Sequence, residues 1–166
     1  MNRYIVAFLL AALFCGSGMS PAQAQQKAAS DAPAPSSNAE KDALHLNTIG
    51  AFSAGFVLQS YGYIGALADA LSKKVYTPDF IRPMLAETTA YLRNVNGQLK
   101  KYHGSGLESA SDRKFVDSVI KIIEQLIIEA EALASFAQTT SAEDLKRYDD
   151  ARKNALQLIK KTFNVN

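Results

Sequence analysis

The chain has no tryptophan, one cysteine (Cys15) and two histidines (His45 and His103) in 166 residues. A single thiol cannot close an intramolecular disulfide, so packing alone must hold the fold. It also excludes paired-cysteine redox and zinc motifs and the C-x-x-C-H attachment of haem. Two isolated histidines form no H-x-x-x-H or Glu-x-x-His pattern, which removes the common helical metal signatures. Excess charge of one sign is missing too. Lys and Arg number 18 against 16 Asp and Glu, a formal net charge of +2. A chain so close to neutral lacks the basic footprint that nucleic acid requires. No Ser-His-Asp arrangement, phosphate-cradling glycine loop, nucleotide fingerprint or EF-hand spacing occurs.

What is present begins at the N-terminus. Arg3 precedes the apolar run YIVAFLLAALF (residues 4–14), too short for a permanent membrane span. Ala22-Gln23-Ala24 then supplies the small-x-small pattern of a signal peptidase site. The expectation is a cleavable signal peptide over 1–24, a mature chain from Gln25, and a periplasmic or secreted location. Removing Arg3 leaves 17 basic against 16 acidic residues and no cysteine. Lipidation at Cys15 is disfavoured, because bulky Phe14 precedes it. Residues 25–41 (QQKAASDAPAPSSNAEK) have almost no bulky apolar side chain and read as a disordered leader.

Four helical segments are expected in 42–166, at about 42–75, 78–102, 109–138 and 141–163. Thr77-Pro78 marks a helix start, with Pro78 at the first helical position, where a missing N–H costs nothing. Pro83 should kink that helix or delay its regular part. His103-Gly104-Ser105-Gly106 stops it. Ser109 or Ser111 caps the third helix, and Ser141-Ala142-Glu143-Asp144 resembles a capping box for the fourth. The second helix carries apolar residues in steps of four and three from Ile81 to Tyr102. The third carries a wider stripe from Phe115 to Ala137, and the fourth includes Arg152 through its stem. Short loops between long amphipathic helices imply an all-α, up-down-up-down antiparallel four-helix bundle.

The first helix differs from the rest. Residues 43–68 carry no formal charge and contain four glycines, at 50, 55, 62 and 65. A helical glycine costs up to about 1 kcal/mol relative to alanine, so four suggest a packing reason. The small residues Ala51, Gly55, Gly62, Ala66 and Ala70 form a stripe that would admit a neighbouring helix or leave a groove for an apolar ligand. Small-xxx-small packing in a membrane is a third reading, but Asn47, Ser53, Gln59, Ser60 and Tyr61 dilute the hydropathy. No transmembrane helix is expected in the mature chain.

Few residues suggest chemistry. His45 and His103 fall at one end of the expected bundle, and with Glu108 they form the best metal set the chain offers. Asp69 interrupts an apolar run and should pair with Arg82 as a partly buried ion pair. Ile128 sits among Lys121, Glu124, Glu131 and Ser135, which makes it a candidate interface residue. No catalytic set is visible and no cofactor is expected. The sequence therefore reads as a non-catalytic periplasmic or secreted module for protein or cell-envelope interaction, with no nucleic-acid partner. A bundle that binds a small ligand or a metal is the alternative. Oligomeric state is left open, a homodimer included.

Overall fold

The computed structural model describes residues 38–106 and 109–165. Four helices account for them: α1 (Asn38–Ser72), α2 (Pro78–Gly104), α3 (Ala110–Thr139) and α4 (Ala142–Phe163). There is no strand among the described residues. The expected signal peptide, Cys15 and most of the expected leader lie outside them. Residues 42–166 cluster as one compact unit.

Local chemistry explains the boundaries. α1 starts at Asn38, before the expected position near residue 42, and stops at Ser72 rather than at Val75. Its end is a Schellman turn. The Val75 N–H donates to the Ala70 carbonyl at 2.8 Å and the Lys74 N–H to Leu71 at 3.0 Å. Lys74 takes the left-handed conformation (φ 55°) that this turn requires. α2 opens at Thr77-Pro78, although the Thr77 side chain makes no capping bond, and the helix continues through Pro83. The Ser109 hydroxyl accepts from the Ser111 and Asp112 N–H groups, and the Ser141 hydroxyl from those of Glu143 and Asp144. These are N-caps of the ordinary serine kind.

α3 is the centre of the core. Close backbone approach, with Cα atoms within 8 Å, joins α3 to α4 and α2 to α3. Arg93 pairs with Glu131 and Lys100 with Glu124, so numbering rises along α2 as it falls along α3. α3 buries Val119, Ile122, Ile123, Leu126, Ala130 and Leu133 against Ile81, Leu85 and Leu92 of α2 and Ala155 and Ile159 of α4. The buried face of α2 also carries Thr89 and Asn96, whose neighbours Thr88 and Val95 are half-buried instead.

α1 is attached differently. Among the described residues it joins no close backbone pair. It reaches the core through the side chains of Val57, Ile64 and Leu67, each essentially buried. Each such burial contributes about 1.5–3 kcal/mol. Phe56 of α1 meets Tyr91 of α2 edge-to-face, with ring centroids 5.6 Å apart. Among the described residues no helix is long and apolar enough to cross a membrane.

Candidate functional site

The most unusual side chain in the core is Glu129 of α3, which is 0% exposed. It lies between Leu126 and Leu133 on the apolar stripe, where a free carboxylate would be costly. Arg152 of α4 answers it, with Nη1 donating to Glu129 Oε1 at 2.6 Å. The same nitrogen donates to the backbone carbonyl of Tyr61 in α1 at 3.2 Å. The guanidinium carbon stands 4.0 Å from the centroid of the Tyr61 ring, a cation–π contact. One arginine thus ties α3, α4 and α1 together.

Gly65 makes this possible. A Cβ at that position would sit 2.8 Å from Arg152 Cζ and closer still to Nη2. Gly65 lies one turn beyond Tyr61, so a side chain there would cover the carbonyl that Arg152 reaches. The need for a small residue on α1 is therefore real, but it falls at Gly65 and outside the expected stripe.

The electrostatics follow from burial. Oε2 of Glu129 is buried without a hydrogen-bond partner, as is Oδ1 of Asn96 on α2. Burial raises the Glu129 carboxyl to about 7, against the opposing pull of the Arg152 hydrogen bond and charge. Burial likewise pushes the neighbouring Tyr148 hydroxyl up to about 12, so it stays neutral at ordinary pH. Glu129 is sealed from solvent in this conformation, which denies it the contact that acid–base work on a substrate needs.

The residues singled out from the sequence fall elsewhere. Nothing lies within 4 Å of a Cβ built at Gly55 or Gly62. Ala51, Gly55, Gly62 and Ala66 are exposed and Ala70 is half-buried, so this stripe packs no helix. The reason is area: turning Val57, Ile64 and Leu67 inward removes more apolar surface from water than turning the small residues inward would. Asp69 is exposed and pairs with Lys73 one turn along its own helix, at 3.4 Å, and Arg82 is exposed as well. The burial that called for an Asp69–Arg82 pair is absent. Ile128 is half-buried beside Ala151 and Asn154 of α4, because α3 is flanked closely on two sides. His45 is exposed, His103 is half-buried, and Glu108 lies outside the described residues. Among the described residues, no three His, Cys, Asp or Glu side chains are grouped to hold a metal ion.

The other notable feature is a furrow between α1 and α2. A depression of about 500 Å³ is lined by Ala51, Phe52, Gly55, Phe56, Tyr91, Val95 and Leu99. A second, of about 470 Å³, continues past the Phe56–Tyr91 pair to Ser60, Tyr63 and Glu87. Phe52 is 76% exposed at its edge and Tyr91 60%. The exposed small residues Ala51 and Gly55 form part of its lining. No family model matches the chain, and neither a curated protein nor a solved structure is similar to it.

Proposed function

We propose that the protein is an exported, non-catalytic helical module that binds a protein or a component of the cell envelope along the α1/α2 furrow. The observation that carries this reading is the furrow itself. It is uncharged over most of its length, with an aromatic ring three-quarters exposed at its rim. Exposed aromatic residues around a concave apolar surface are typical of binding sites. Export is part of the proposal and rests on the N-terminal pattern, with cleavage after Ala24. Its architecture, in this reading, is the up-down-up-down antiparallel bundle, with α1 as the loosely packed fourth member.

A small apolar ligand is the second occupant worth naming, since about 500 Å³ lies within the range of small-molecule sites. Native mass spectrometry of the protein purified from its own envelope separates the two. A protein that stays bound to the wild type and is lost on Phe52→Glu supports the interaction reading. A retained lipid or small molecule supports the second. Association unchanged by Phe52→Glu refutes the furrow as the binding surface.

A further inference from the structure

Arg152 Nη1 bonds Glu129 Oε1 and the Tyr61 carbonyl at once. The α1 backbone and the carboxyl are therefore one nitrogen apart, close enough for α1 to help shield the fully buried Glu129 from water. The remaining attachment of α1 is by side chains, without close backbone approach among the described residues. Inside, Oε2 has no donor to satisfy it. An ionised carboxylate with one oxygen unpaired is poorly accommodated there, and a neutral carboxyl is better tolerated.

We propose that the Glu129–Arg152–Tyr61 chain is a proton-coupled latch: α1 closes with Glu129 protonated on Oε2, and ionisation of Glu129 drives α1 away from α3 and α4. The direction follows from where the proton is held more tightly. Closed, the carboxyl titrates at about 7; in water its ordinary value is 4.5. Opening therefore releases a proton, and the open population grows as pH rises through this window.

The groups that face Glu129 leave it the titrating member. α4 presents Arg152, charged throughout, and Tyr148, neutral throughout, with the exposed Asp149 further out. α1 presents the Tyr61 ring and carbonyl. The buried residues of α2 are Ile81, Leu85, Thr89, Leu92 and Asn96, none of which ionises. The device goes beyond the binding reading and needs no partner.

Hydrogen exchange of the full chain, corrected for intrinsic rates and read by helix at about pH 5.5 and about pH 8, tests it. In the wild type, protection of α1 should fall about tenfold or more at the higher pH, with a ceiling near 30-fold between these two pH values if Glu129 becomes fully hydrated. α3 should hold its protection. Glu129→Gln removes the titration and should leave α1 equally protected at both pH values. Gly65→Ala crowds Arg152 off the Tyr61 carbonyl without altering any ionisable group, and should lower α1 protection at both. Three results would overturn the latch: α1 protection in the wild type that is the same at both pH values, α3 falling in step with α1, or Gly65→Ala without effect on α1.

Discussion

Replacing Glu129 by glutamine tests the electrostatic account at its most exposed point. The substitution keeps size and shape, keeps an acceptor for Arg152, and removes the charge. The folded state raises the carboxyl from 4.5 to about 7. A group whose folded value is raised contributes stability that is complete below its unfolded value and lost as pH rises through the folded one. Each tenfold change in proton affinity corresponds to about 1.4 kcal/mol. The wild type should therefore lose about 3 kcal/mol between pH 4.5 and pH 8 through this residue alone. Glutamine escapes that loss. The attraction of Arg152 is already contained in that folded value, which it lowers, and Arg152 keeps the Tyr61 carbonyl and ring in the variant. The net expectation is a variant about 3 kcal/mol more stable than the wild type at pH 8 and of about equal stability near pH 4.5. Urea unfolding followed by far-ultraviolet circular dichroism, for both proteins across this range, gives the difference directly. Taking the difference cancels every other titrating group. The reasoning fails if the difference is flat with pH, or if it changes in the wild type's favour as pH rises.

Gly62 faces open space on α1. Gly62→Ala should raise stability by up to about 1 kcal/mol through helix propensity alone, and Gly62→Leu should not destabilise; denaturation midpoints measure both. A clear loss with either would show that this face is covered. Ile128→Glu should cost about 1 kcal/mol, since it forces a charge into a half-buried site against α4; full stability would place Ile128 in solvent. Intact mass of the exported protein should show an N-terminus at Gln25. A diacylglycerol adduct on Cys15 would refute that cleavage and make the protein a lipoprotein.

Much of the fold is legible in the sequence because its signals are local. Ser109 and Ser141 announce helix starts through their hydroxyls, Pro78 through its missing N–H, and the amphipathic stripes of α2, α3 and α4 name their inward faces. α1 withholds its orientation for a physical reason. With no charge from 43 to 68, nothing in its sequence marks the side that must stay wet. Its small residues resemble packing surface, whereas burial of the larger ones decides the rotation. Glu129 leaves a readable trace, three residues after Leu126 and four before Leu133, squarely on the apolar stripe. Its partner is only half legible, since the pattern of α4 puts the Arg152 stem on the inner face and says nothing of where the guanidinium goes. That Gly65 opens a path to the Tyr61 carbonyl depends on a contact across 91 residues, which no local pattern contains.

That separation also sets the order in which the molecule can be assembled. α2, α3 and α4 are consecutive in the chain and their backbones meet neighbour to neighbour, so each can pack as soon as it is made. α1 is synthesised before all three, yet its tether is an arginine in the last helix, whose attainment must close a long loop. A ribosome therefore delivers this protein with its uncharged helix first and that helix's anchor nearly last. For most of synthesis Val57, Ile64 and Leu67 stand without their full cover, and the nascent chain depends on whatever shields them until the later helices emerge.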